Sequence, residues 1–247
     1  METTTTAALV GVAGGAGATR LATETAAVLA RDGASVGVLD AALATQGLSQ
    51  HVAGRIDPDA AAVLAGDADP ADARHDLAPD APGDVAAYPA FAPFTRVAEA
   101  KTTEAAQRFE AVLDDLAATH HYVLVDTPPV AANQSVAAVT ASDAVAAVVP
   151  PGNRGADSLQ RVRGRLADVG ADCDHVVANR TQTAPPDAGL AVPEHDETGI
   201  PDAPVALDGT DAFTESVVAL AETLFETTVD VDFEDDSVLD AAREKLA

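Results

Sequence analysis

The sequence predicts an α/β protein built on a doubly wound, mostly parallel sheet. Three observations carry that prediction. Short apolar runs that read as buried strands alternate with segments of helical spacing along most of the 247 residues. The first such run opens into a glycine-rich turn, Gly11-Val-Ala-Gly-Gly-Ala-Gly-Ala-Thr-Arg20, and a helix follows it. Three runs end in a polar residue, Asp40, Asp126 and Asn179. Strand ends of that kind face the ligand crevice of an open parallel sheet.

The elements follow in order. Residues 7–13 read as a buried strand and residues 21–31 as a helix, with Ala22, Ala26, Val28 and Leu29 at roughly helical spacing. Residues 35–40 form a second strand. The chain from 41 to 54 is irregular, with Gln46-Gly47 as a turn, and a short helix starts at Asp57-Pro58 and runs through Leu64. Residues 66–84, rich in Asp, Ala, Pro and Gly, read as a solvent-facing loop. A strand is expected over 84–88, then one long helix over about 99–119. Its Phe109, Val112, Leu113 and Leu116 lie at i, i+3, i+4 and i+7, a core stripe. Strands are predicted over 122–126, 143–149 and 175–179, with a helix over about 155–169 between the last two. The segment 181–200 reads as loop, 205–207 as a last strand and 212–223 as a helix. We divide the chain into a main domain, 1–228, and an acidic tail, 229–247. In the tail Ser237 caps a terminal helix, with Asp240 completing a capping-box-like start.

Composition bounds the function. Apolar residues make up 47 %, enough for a sizeable core, and no apolar run is long enough to span a bilayer. The start, Met-Glu-Thr-Thr-Thr-Thr, lacks the basic region of a signal peptide, so a cytoplasmic protein is expected. Forty acidic residues face fourteen basic ones, a net charge of −26, and Lys101 and Lys245 are the two lysines. Acid spread in this way is the surface of an extreme halophile, and it repels nucleic acid and anionic membrane at ordinary salt. In molar salt the Debye length falls to about 3 Å. The charge therefore leaves a DNA partner open without supporting one. The single cysteine, Cys173, excludes an internal disulfide and reads as a small core residue. The six histidines make no metal pattern; His120-His121 end a helix.

The glycine-rich turn has the geometry of an anion cradle. Glycines let backbone N–H groups turn inward, and the following helix aims its positive dipole end at the same point. The phosphate-loop pattern is G-x-x-x-x-G-K-[ST]. Residues 14–19 are Gly14, Gly15, Ala16, Gly17, Ala18 and Thr19. Thr19 holds the hydroxyl position that binds Mg²⁺, but Ala18 holds the position of the lysine that reaches the β- and γ-phosphates. Arg20 is a candidate to replace part of that charge, although one residue past the hydroxyl it is expected to point elsewhere on the helix. The same residues also fit a tight strand–helix turn kept for packing. Asp40 and Asp126 likewise fit plain strand-end carboxylates, and Asn179 a turn residue.

Taken together these segments resemble the ParA/MinD family of P-loop ATPases, from about residue 7 to 225. The family's K-G-G-x-G-K-T-T reads here Ala13-Gly-Gly-Ala-Gly-Ala-Thr-Arg20, and its strand ending in D-x-D followed by Q-G reads Asp40-Ala-Ala42, then Gln46-Gly47. Its Walker B region resembles Tyr122-Val-Leu-Val-Asp126-Thr-Pro-Pro129, and its adenine-contacting asparagine resembles Asn179. The resemblance implies a P-loop NTPase sandwich with ATP or ADP and Mg²⁺ as ligands. It makes Thr19, Asp40 and Asp126 the Mg²⁺ and water-positioning residues, with Asp40 and Asp126 catalytic, residues 14–19 the phosphate loop, and Asn179 the base contact. The departures are Ala13, where the family's lysine reaches across a nucleotide-sandwich dimer, Ala18, and Ala42 in place of the second acid of D-x-D. The expected function is a nucleotide-binding protein with weak or defective ATPase activity. It would act in positioning, partitioning or regulation through a partner protein or a homodimer. The alternative is a pseudo-ATPase, a non-catalytic interaction module; a dinucleotide-binding redox enzyme fits the Asp-Thr-Pro-Pro strand end less well. Arg154, Arg161, Arg163 and Arg165 cluster on one helix, as in DNA-binding relatives, but a solvated face paired with Asp157 and Asp168 explains them more simply. The terminal segment lacks the basic amphipathic character of a membrane anchor.

Overall fold

A computed structural model describes residues 5–231. Eight strands form one sheet: β1 (Thr6–Gly11), β2 (Ser35–Asp40), β3 (His75–Asp76), β4 (Asp84–Tyr88), β5 (Tyr122–Thr127), β6 (Ala144–Val149), β7 (His175–Asn179) and β8 (Leu190–Val192). The order is β3-β4-β2-β5-β1-β6-β7-β8, parallel throughout except for the antiparallel β3–β4 pair at one edge. The helices are α1 (Ala18–Arg31), α2 (Ala60–Ala65), α3 (Phe94–Glu99), α4 (Thr103–Thr119), α5 (Asn133–Ala141), α6 (Asn153–Asp168) and α7 (Ala212–Phe225). The fold class is therefore the doubly wound α/β sandwich that the alternation of elements predicts.

The sheet is buried on both faces, so its parallel strands are apolar through their middles and divide their side chains between two cores. Leu9, Val28, Leu29, Leu124, Leu224 and Phe225 belong to the core under α1 and α7. Val10, Leu39, Val125 and the α4 stripe of Phe109, Val112, Leu113 and Leu116 belong to the other. Leu9 with Val10, and Leu124 with Val125, separate neighbouring residues onto opposite faces, as the period of two requires. The strand β1 lies between β5 and β6, so successive connections diverge from it and leave a crevice at its C-terminal end. Asp40 and Asp126 are register partners there.

Several expectations are corrected. The long helix over 99–119 is two helices: α3 begins earlier, at Phe94, and the Thr102 side chain caps a fresh start by accepting a hydrogen bond from the Ala105 N–H at 3.2 Å. Residues 205–207 are a 3-10 turn, not a strand. The N–H groups of Val205 and Ala206 donate to the Glu24 carboxylate at 3.2 and 2.8 Å, so they are spent on a buried acid rather than on the sheet. The segments read as loops hold short pieces of sheet, β3 within 66–84 and β8 within 181–200. Helix α5 occupies a stretch that carried no sequence assignment. Val229 and Val231 are buried in the α1/α7 core. The rest of the tail, including the helix expected after Ser237, lies outside the described residues. No helix among the described residues is long and apolar enough to cross a membrane.

Candidate functional site

The end of β1, the glycine-rich loop and the start of α1 form one wall of a cavity of about 500 Å³. The loop turns because two of its glycines take left-handed backbone, Gly15 at φ 76° and Gly17 at φ 93°. Gly17 caps α1 without a side chain, which leaves the first N–H groups of the helix facing the loop. A β-carbon on Gly17 would lie 2.3 Å from the amide nitrogen of Asn179, so glycine is required there by contact as well as by conformation. Gly47, in the turn after β2, is held to glycine from the other side: a β-carbon would come within 2.9 Å of the Thr19 hydroxyl.

The sheet supplies the opposite wall. Gly14, Gly15, Ala16, Gly17, Ala18, Thr19, Asp126 and Asn179 all line the cavity. Asp40 does not; it is fully buried behind Asp126, with its two carboxylate oxygens accepting from the N–H groups of Ala42 at 2.8 Å and Ala90 at 3.3 Å. The Thr19 hydroxyl donates to Asp126 Oδ2 at 2.6 Å. Burial raises the Asp126 carboxyl to about 6 against the lowering effect of that hydrogen bond. Burial also raises Asp40 well above the ordinary carboxylate range; the neighbouring Asp126 charge adds to the rise, and the backbone donors oppose it.

No cation offsets this pair from within the loop. The Ala18 methyl is nearly buried and packs toward Gly11, where a β-carbon would sit 3.5 Å away. The Arg20 guanidinium pairs with the buried Glu24 and donates to the carbonyls of Glu197 and Gly199, both at 3.3 Å. Two oxygen donors on adjacent elements, Thr19 and Asp126, fit Mg²⁺, a hard cation that keeps several waters and takes one or two protein ligands beside phosphate oxygens. A Mg²⁺ held by these two groups would supply positive charge to an anionic ligand in the cavity.

Asn179 has a position the sequence did not reveal. Its amide nitrogen donates to the Ala16 carbonyl at 2.9 Å, and its amide oxygen accepts from the Arg180 N–H at 3.0 Å. It thus grips the glycine-rich loop from across the sheet. The far wall, 193–195 with Phe213, was also missed. There the His195 ring meets Phe213 at 5.2 Å and its Nε2 lies 3.2 Å from Asp211, the side-chain cap of α7. A capping pattern before 212–223 was the one available signal. On α6 the ion pairs expected with Asp157 and Asp168 are not made. Arg161 turns to Ser158 and Arg165 to the Val130 carbonyl, because those acceptors lie within reach of the helix face. Cys173 is half-buried, and burial raises its thiol.

No family model and no curated protein matches the sequence. Solved structures do match the fold. The septum site-determining protein MinD of Pyrococcus horikoshii, complexed with Mg-ADP, superposes with a TM-score of 0.71 at 21 % identity, over 88 % of this chain and 95 % of that one. A ParA family ATPase from Chlorobium tepidum gives 0.72 at 15 %, over 88 % and 98 %. The MinC:MinD cell division complex of Aquifex aeolicus gives 0.73 at 19 %, over 92 % and 98 %. The fold is that of MinD and the ParA-family ATPases. The sheet order of this chain puts the glycine-rich loop, Asp126 and Asn179 around one crevice.

Proposed function

We propose that this chain is a nucleotide-binding member of the ParA/MinD group, with weak or defective hydrolysis, that works in intracellular positioning, partitioning or regulation through a protein partner. The observation that carries the reading is the Thr19–Asp126 contact at the mouth of a glycine-rich loop with alanine at 13 and 18. The oxygen ligands for Mg²⁺ and the inward-facing N–H groups remain, so ground-state binding has its main contacts. Phosphoryl transfer depends on cations placed where charge develops. One missing donor of this kind costs about 3–4 kcal/mol in the transition state, and two are missing here. Turnover is then slowed by several orders of magnitude while a bound state persists.

A protein contact is supported by the segment after β4. Phe91 and Phe94 are 59 % and 85 % exposed, in a chain with six phenylalanines. Their segment is tied to the site, since the Ala90 N–H donates to Asp40 and the Gln46 amide donates to the Ala92 carbonyl at 2.8 Å. The MinC:MinD complex among the fold neighbours points the same way.

The test is calorimetry with Mg-ATP and Mg-ADP in molar KCl, on the wild type, Ala18→Lys and Asp126→Ala. Micromolar binding by the wild type that Asp126→Ala loses, with hydrolysis rising about 10²–10³-fold in Ala18→Lys, is the expected result. The second reading, a pseudo-ATPase used as an interaction module, draws on one observation: both ends of the Asn179 amide are engaged within the protein. It predicts no binding by the wild type and recovery in Ala18→Lys. No binding by either protein would overturn the phosphate-loop reading of residues 14–19.

A further inference from the structure

Four groups able to carry positive charge line the cavity: Arg20, His51, Arg180 and His195. Three are committed or discouraged from charging. Arg20 is neutralised by Glu24. The His51 ring is held below its ordinary range by burial and by Arg20. His195 faces Asp211. Arg180 differs. Among the described residues its guanidinium has no carboxylate within 4.0 Å, and its side-chain contact is a single hydrogen bond, from Nη1 to the Gly15 carbonyl at 3.2 Å. A second nitrogen, Nη2, lies 3.8 Å from where a β-carbon of Gly17 would stand. Five N–H donors and a full charge therefore sit against the glycine-rich loop with one acceptor between them.

The backbone aims the side chain there. Arg180 follows β7 with φ 58°, a left-handed conformation that a long side chain rarely adopts. That turn is pinned by its own N–H, which donates to Asn179 Oδ1 at 3.0 Å. In a chain of net charge −26, arginines are readily neutralised at the surface, so an unpaired one held on an anion cradle is informative. Molar salt screens beyond about 3 Å, so a distant cation would contribute little, whereas a guanidinium in direct contact with phosphate keeps both its charge and its hydrogen bonds.

We propose that Arg180 is a phosphate-contacting residue of this site, turning from the Gly15 carbonyl onto a phosphate of the bound nucleotide and supplying from the end of β7 a positive charge that positions 13 and 18 lack. The proposal rests on the nucleotide reading above. It departs from the family pattern, in which the resemblance places these cations in the loop itself.

Calorimetry in molar KCl on Arg180→Lys, Arg180→Gln and Arg180→Glu, with Mg-ADP and with adenosine, tests it. Mg-ADP affinity is expected to fall in that order: within threefold of wild type for Lys, at least tenfold down for Gln, and at least tenfold further for Glu. Adenosine, which has no phosphate, is expected to stay within twofold throughout. A role confined to propping the loop predicts instead equal losses for Gln and Glu, shared by adenosine, and that result overturns the proposal. Wild-type-like binding of Mg-ADP by Arg180→Glu also overturns it and leaves the nucleotide reading intact. A wild type that binds no Mg-ADP overturns both.

Discussion

The two walls of the cavity differ in what they present to it. The sheet wall presents acid: Asp126 at the end of β5, with Asp40 buried behind it. The loop wall holds the Thr19 hydroxyl that bonds Asp126 and turns on Gly15 and Gly17 in left-handed conformation, but carries methyls at 13 and 18 where the resemblance expects lysines. The difference teaches that the shape of a glycine-rich loop and its charge are separable. Shape is imposed by glycine and by contacts such as Asn179 with Ala16, whereas charge resides in side chains that packing does not need. Beside the loop lies a buried acid pair with no loop cation: burial raises the carboxyls of both Asp40 and Asp126, and the Asp126 charge adds to the rise at Asp40.

Removing the cost of that burial is the largest effect we expect. The folded-state carboxyl of Asp126, at about 6, lies above the ordinary 3.8, so the folded protein binds a proton that the unfolded chain releases. Its contribution to stability is fully present below pH 4 and is lost as pH rises through about 6. Moving a carboxyl from 3.8 to about 6 corresponds to about 3 kcal/mol. Asp126→Asn should therefore unfold at higher denaturant than the wild type at pH 7, by up to about 3 kcal/mol, and the advantage should shrink to near zero at pH 4. Urea melts at fixed KCl from pH 4 to 7 measure this. The acidic surface also favours low pH, but equally in both proteins, so their difference isolates the site. An equal response of the two proteins to pH would remove the imbalance between the walls from the account.

The loop wall gives a smaller effect of opposite sign. Gly17→Ala must adopt a φ of 93° and bring a methyl to 2.3 Å from Asn179, so it should destabilise by about 2–3 kcal/mol, read from the same melts. Gly14→Ala is the control. Gly14 has no positive φ, and a β-carbon there meets nothing within 4 Å, so the change should be near neutral.

What the sequence revealed follows the same division. Local signals were legible. The apolar runs ending at Asp40, Asp126 and Asn179, the glycines after β1 and the stripe from Phe109 to Leu116 each carry their meaning within a few residues, and the structure puts those elements where expected. What was illegible depends on residues distant in sequence. Residues 205–207 looked like a strand until Glu24, far upstream, claimed their N–H groups. The three residues of β8 are too few for alternation to register, and they become a strand through pairing with β7. In the site, Thr19 and Asp126 were placed by motif position. The burial of Asp40 away from the cavity and the grip of Asn179 and Arg180 on the loop have no local pattern at all.

That grip yields the smallest prediction and the one that most directly links the walls. The Asn179 amide closes on Ala16 from the sheet side, so it transmits the position of β7 to the loop. Asn179→Ala leaves the Ala16 carbonyl and the Arg180 N–H without their partner, but both lie beside a cavity that water can enter. The loss should be about 1 kcal/mol, the ordinary net worth of such a bond, rather than the full penalty of a sealed unsatisfied group. Asn179→Asp separates two jobs. An aspartate keeps an acceptor for the Arg180 N–H but sets a carboxylate against the Ala16 carbonyl, so it should destabilise more than alanine and loosen the loop. Amide hydrogen exchange at residues 15–18 is the readout. Faster exchange in both variants, greater in Asn179→Asp, is expected if the sheet holds the loop in shape. Unchanged exchange would mean that the glycines alone determine it, and that the two walls are independent.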